Sequence, residues 1–149
     1  MLALVFHAHG ARYAIRAAVI ERLLADQVLR PPPALAPTAV IGLLREGGDL
    51  VPVIDSAQLL GNRPDPSTGA WRIVLCRIGQ SPQRRLAIRV RDAFELTRFR
   101  VRMLRLALGQ ASHLGDFLDG EGEPQLVELE QVLPAELAAL ARELQTVTP

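Results

Sequence analysis

Lysine is absent from this chain. All seventeen of its basic side chains are arginine and they face sixteen carboxylates, so 149 residues carry a formal charge of only +1. A balance that small disfavours attraction to nucleic acid driven by net charge. Arginine does, however, supply planar donors that grip carboxylates in pairs. Cysteine is nearly absent too: Cys76 stands alone, which excludes an internal disulfide and gives no sign of an oxidising compartment. Aromatic residues make up 4% of the chain. Only Phe94 and Phe99 lie near the most basic stretch, too few for a base-stacking platform. No apolar run approaches the roughly 18 residues of a membrane span. The opening MLALVFHAHGARYAI lacks the basic start of a secretory leader. A cytoplasmic protein without membrane insertion is expected.

What remains is ordinary globular composition, 49% apolar and 22% charged, at a length suited to a single domain over residues 1–149. Most apolar runs are short and alternate with a period of two. Leu2–Phe6 and Arg12–Ile15, separated by His7-Ala8-His9-Gly10-Ala11, read as a hairpin. Residues 17–27 show helical spacing, with Ile20, Leu23 and Leu24 on one side. Pro31, Pro32, Pro33 and Pro37 then enforce an extended surface connection. Val40–Leu44 and Leu50–Ile54 flank the turn Arg45-Glu46-Gly47-Gly48-Asp49. The second of these runs is apolar on both faces, and Pro52 within it marks an edge or a bulge. Asp55 followed by Gln58 has the form of a capped helix start, with Gly61 placed to end it.

Residues 62–70 read as a loop and Arg72–Ile78 as a strand. Leu86, Ile88 and Val90 alternate with Arg85, Ala87, Arg89 and Arg91, and Phe99, Val101 and Met103 repeat the pattern against further arginines. Residues 109–125 are turn-rich, Val127 and Leu129 suggest one more strand, and an amphipathic helix is expected at about 134–145. Seven or eight short strands with one terminal helix indicate an all-β barrel or sandwich with short helices.

The charge is uneven. Residues 1–109 hold sixteen arginines against eight acids, and residues 110–149 hold eight acids against Arg142 alone. Arg84, Arg85, Arg89, Arg91, Arg98, Arg100, Arg102 and Arg105 fall on two predicted strand faces. A solvated face that discourages edge pairing is the plain reading; docking of an acidic surface, an anionic ligand or RNA is the functional one. Catalytic and metal signatures are missing. His7 and His9 share a strand face, but no CxxC or HExxH accompanies them and nothing fixes their spacing to His113 or Cys76. Cys76 lies within an apolar strand, and no serine sits in G-x-S-x-G. Asp116 and Asp119 flank a Gly-rich turn, where aspartates serve turn chemistry. No enzyme activity and no cofactor are expected.

The run from Gly42 to Asp55, GLLREGGDLVPVID, resembles the signature of the CheW family of chemotaxis coupling proteins, which typically reads G-V-I-N-L-R-G-x-V-V-P-V-I-D-L there. LVF with its hairpin to RYAI, RIVLCRIG, LAIRVRDAFEL and the closing HLGDFLDGEGEPQLVELEQVLP follow the family's order, so the resemblance spans roughly residues 2–133. It implies two intertwined five-stranded, SH3-like β-barrels with a core between them. It also implies a non-enzymatic adaptor that binds the regulatory domain of a CheA-type histidine kinase and the cytoplasmic tip of a methyl-accepting chemoreceptor. The positions it marks for partner binding are Arg45, Glu46 and Gly47 in the turn, Val51 and Pro52 in the following strand, and the edge at Val90, Arg91 and Phe94. Gly47 stands where the family usually has an arginine, Arg91 where it has an aspartate, and Ser56 where it has a leucine. A turn arginine makes charge-assisted bonds worth about 1.5–3 kcal/mol each. Arg45, two residues earlier, is the candidate to replace it. These departures suggest a chemosensory system other than flagellar chemotaxis, such as surface sensing or twitching motility.

Overall fold

The computed structural model describes residues 1–79, 84–94, 96–99, 124–133, 137, 139–141 and 144. The chain begins with two strands, β1 (Leu2–Ala8) and β2 (Ala11–Arg16). His9 and Gly10 join them, both at positive φ (49° and 77°), as a type I′ turn requires. A 3-10 turn over Ala17–Val19 leads into β3 (Ile20–Ala25). After the proline segment come β4 (Val40–Glu46), β5 (Asp49–Asp55) and the single-turn helix α1 (Ser56–Leu59). β6 (Trp71–Ile78), β7 (Arg84–Arg91), β8 (Leu96–Arg98) and β9 (Gln125–Leu126) follow, then the short helix α2 (Leu129–Val132). Leu137, Ala139, Leu140, Ala141 and Leu144 are helical. The fold is all-β with short helices.

The strands form one connected sheet whose parts curl round separate cores. β3, β6, β7, β5 and β4 are neighbours in that order. The paired backbone bonds between Arg30 and Leu43, both 2.9 Å, bring the chain beyond β3 back against β4. These five strands surround Leu44, Val51, Val53, Ile73, Leu75 and Ala87. Gly42 permits the closure, because a Cβ there would lie 2.6 Å from the Leu29 Cβ and 2.7 Å from the Arg30 carbonyl. The other half is built from β8, β1, β2 and β9, with Ala3, Ala14, Phe99 and Leu126 on one face. Between the halves lies the largest core. Leu4, Phe6, Tyr13 and Ile15 meet Val74, Cys76, Leu86, Ile88 and Val90 there, with Ile54 and Leu137 beside them.

Three expectations fail, each for a physical reason. Residues 17–27 are not a helix. A register shift between Ile20 and Arg22 makes Glu21 the extra residue of a β-bulge, so Ile20 (opposite Cys76) and Leu23 (opposite Val74) face the same core three positions apart. The bulge thus imitates helical spacing within a strand. Leu129 belongs to α2 and not to a strand; the Val127 amide still bonds the Ala14 carbonyl before the chain turns. Leu133 is extended (φ −74°, ψ 121°), as the residue before a proline prefers, and the helical turn stops there. Third, the arginine side of β7 is no solvated face. Ala87 on that side is fully buried in the five-stranded barrel, and Arg85 and Arg89 flank it. The strand expected through Val101 and Met103, the stretch 109–123, and Arg100, Arg102 and Arg105 lie outside the described residues.

Candidate functional site

The turn between β4 and β5 places the first group of marked residues. Gly47 (φ 60°) and Gly48 (φ 86°) form its tip, exposed. Arg45 is exposed opposite Leu50, and among the described residues no carboxylate pairs with it. Glu46 is half-buried and paired with Arg22 of β3. Val51 and Pro52 are buried, Val51 completely, so these side chains build the wall of the barrel and present nothing to a partner. β5 pairs with β7 only from Val53 onward, so Pro52 sits just before the ladder in which its missing N–H would be needed. Ile41 and Leu43 remain partly exposed on β4.

Beneath the tip the neck is braced. Arg85 Nη1 donates to the Glu46 carbonyl oxygen (3.0 Å) and to Asp49 Oδ2 (2.9 Å), while its Nε and Nη2 donate to Glu21 Oε2 (3.1 and 3.0 Å). Arg77 holds the other oxygen of Glu21, through Nε at 3.0 Å and Nη2 at 2.6 Å. Burial alone would raise the Glu21 carboxyl, but the bonds from Arg77 and Arg85 outweigh it and hold the group below the usual range. Arg85, which looks solvent-facing in sequence, and Arg77 are therefore engaged by one glutamate, which the bulge has aimed across the sheet.

The second group surrounds β7's far end. Val90 is completely buried, and the Arg91 side chain is only 12% exposed. Arg91 Nε donates to Asp65 Oδ2 (3.1 Å), and its Nη1 to Asp92 Oδ2 (2.9 Å). Asp65 also accepts from the Ser67 and His9 amides, at 2.9 and 3.1 Å. These bonds, the one from the Ser67 hydroxyl foremost, hold its carboxyl well below the usual range. Arg91 is thus an internal strut between the 62–70 loop and β7. Arg89 is likewise engaged, by Asp26 (3.0 and 2.9 Å) and by the Trp71 ring at 4.3 Å. Its hydrogen bond holds the Asp26 carboxyl low.

Phe94 is different. It is 62% exposed, with the Arg72 guanidinium 5.9 Å from its ring centroid, and Leu96 beside it is 47% exposed. Together with Leu4, Ala17, Ile20 and Leu23 they line a groove of about 350 Å³ between β3 and the β1–β8 pair, with Glu21 and Arg22 also on its wall. Of the marked residues, Arg45 and Gly47 sit at the turn and Phe94 at this groove. Sequence reasoning missed Leu96, and it missed the groove's other wall because residues 17–27 read as a helix.

Among the remaining candidates, Asp55, Cys76 and His9 are engaged within the fold. Asp55 caps α1, its Oδ2 accepting from the Gln58 amide at 3.1 Å, and burial raises its carboxyl. Cys76 is completely buried, which pushes its thiol up to about 12 and leaves no nucleophile at neutral pH. His9 Nε2 lies 2.6 Å from the Arg63 carbonyl oxygen. Among the described residues no group of three metal-ligating side chains comes together, and no helix is long and apolar enough to cross a membrane.

The sequence matches a family model described as CheW-like domain over residues 2–133. No curated protein matches the chain at a significant level. Among solved structures, the fold is similar to that of the scaffolding protein TtCheW from Thermoanaerobacter tengcongensis. That likeness has a TM-score of 0.73 and 13% sequence identity, covering 91% of this chain and 94% of the other.

Proposed function

Because this chain belongs to the CheW-like domain family, we propose that it is a non-enzymatic, cytoplasmic adaptor of a chemosensory pathway, joining a chemoreceptor to a CheA-type histidine kinase. The observation that carries this reading is the presence of two separate exposed features on one sheet: the apolar groove at Phe94 and Leu96, and the turn at Arg45 and Gly47. An adaptor needs two such surfaces, and a single-ligand protein needs one. In this reading the groove receives apolar side chains of a helix at the receptor tip, a recognised mode of helix binding. The turn docks the regulatory domain of the kinase, with Arg45 as the charge-bearing contact in place of the arginine that Gly47 lacks. Receptor state then biases the kinase through contacts whose strength differs between two states.

An anionic ligand or RNA on the arginine faces is the weaker reading. Arg77, Arg85, Arg89 and Arg91 are already engaged by carboxylates of the chain itself, which a polyanion would have to displace. The test is titration calorimetry of the purified chain against the kinase regulatory domain and a receptor-tip fragment from its own organism. Saturable binding to both, at micromolar affinity (about −8 kcal/mol), is expected. Leu96→Arg should abolish receptor-fragment binding and leave kinase binding intact. Absence of binding to either partner would overturn the assignment.

A further inference from the structure

The bulge residue Glu21 and its neighbour Arg22 stand on the wall of the groove, and both reach the β4–β5 turn. Arg22 pairs directly with the Glu46 carboxylate. Glu21 acts through Arg85, whose guanidinium holds the Glu21 carboxylate on one side and the Glu46 carbonyl and Asp49 carboxylate on the other. A guanidinium is planar and rigid, so its two sides cannot move independently. The Arg85 side chain is 14% exposed, which keeps this linkage from being screened away by solvent. No other described residue joins the groove wall to both ends of the turn with charge-assisted bonds.

We propose that Glu21 and Arg22 are positioning residues that couple the groove to the β4–β5 turn, so that a helix seated in the groove tightens the turn's grip on its own partner. This rests on the reading that groove and turn each dock a protein. The sign follows from the shared strand. A helix packed on Ile20 and Leu23 holds β3 in place, and with it the Glu21 and Arg22 side chains that brace the neck of the turn from the strand's other face. By linkage, the partner on the turn tightens the groove by the same factor.

The experiment measures the affinity of the full chain for the kinase regulatory domain by calorimetry, alone and saturated with the receptor-tip fragment. About fivefold tighter binding is expected for the wild-type chain, the low end of typical couplings. Glu21→Gln keeps the size and loses the charge; it should bind each partner separately with the two affinities coupled by less than 1.5-fold. Arg85→Lys, which keeps the charge and loses the fork, should do the same. Retention of the full coupling in both variants, or no coupling in the wild type, would overturn the proposal. Hydrogen exchange of the unliganded chain separates this outcome from failure of the adaptor reading. Glu21→Gln should speed exchange in the 44–50 hairpin about tenfold and leave the β1–β2 hairpin unchanged. Unchanged exchange at 44–50 would overturn the brace whether or not either partner binds.

Discussion

The chain uses one kind of turn twice, and the two copies are held in opposite ways. His9-Gly10 and Gly47-Gly48 each join antiparallel strands through two residues at positive φ. At the first, the tip itself is tied down: the His9 amide donates to Asp65, and its ring lies against the Arg63 carbonyl. Both tips are exposed, but at the second the bonds are made one residue back, by Arg85 to Glu46 and Asp49. A turn tied at its tip has that residue's amide and ring already engaged by the fold. A turn fixed at its neck presents its tip and the adjacent Arg45 in a defined place, which lowers the ordering cost of binding. The comparison separates two roles that the type of turn alone does not.

The largest expected effect lies at the tied turn. Asp65 is 1% exposed at its side chain and accepts from Arg91, Ser67 and His9. Asp65→Asn leaves Arg91 with Asp92 as its acidic partner and should cost about 2–3 kcal/mol in denaturant unfolding, below the full cost of a broken buried pair because Asp92 remains. The pH dependence has a definite sign. The Asp65, Asp26 and Glu21 carboxyls are depressed in the folded state. Their contributions are present above the unfolded carboxylate range near about pH 4 and are lost as pH falls through the folded values. The wild type should therefore lose stability in acid more steeply than Asp65→Asn. Equal acid profiles would show that the tie contributes nothing and that the two turns are not held differently.

Much of this architecture is legible in the sequence, and the limits have identifiable causes. The Asp55 cap, the two-sided apolar run of β5 and both hairpins depend on residues within a few positions of each other, where side-chain type and spacing act directly. The bulge at Glu21 could not be read, since an extra residue in a strand brings Ile20 and Leu23 to one face and so counterfeits a helix. The arginine pairs were hidden by distance along the chain: Glu21 and Arg85 are 64 residues apart. Alternation in β7 correctly marked two faces, but it cannot distinguish water from a second core when Ala87 is the residue between the arginines. Of the marked partner residues, exposure favours Arg45, Gly47 and Phe94, whereas Val51, Pro52, Val90 and Arg91 are internal.

A matched pair of substitutions sharpens the comparison. Gly10→Ala and Gly47→Ala both force a Cβ into the left-handed region, and neither meets a close contact: the nearest atom to a Cβ at Gly47 is Arg85 Nη1 at 3.7 Å, and nothing lies within 4 Å at Gly10. Each should lose about 1 kcal/mol of stability. Only Gly47→Ala should also weaken kinase-domain binding, since it alone alters the turn that carries Arg45. Equal binding by the two variants would mean that the open turn is not a docking element.

The smallest effect on stability should accompany a large one on binding. Arg45 is exposed and lacks an acidic partner among the described residues, so Arg45→Ala should change unfolding free energy by less than about 0.5 kcal/mol. If its guanidinium makes a charge-assisted contact across the interface, the same substitution should weaken kinase-domain binding by about 1.5–3 kcal/mol, roughly ten- to a hundredfold. Arg45→Lys should recover only part of that loss, because an ammonium keeps the charge without the planar fork. A variant with wild-type affinity would place the docking contact elsewhere on the hairpin, at the partly exposed Ile41 and Leu43. The braced neck would then orient an apolar strand face, and the lost family arginine would have no replacement at all.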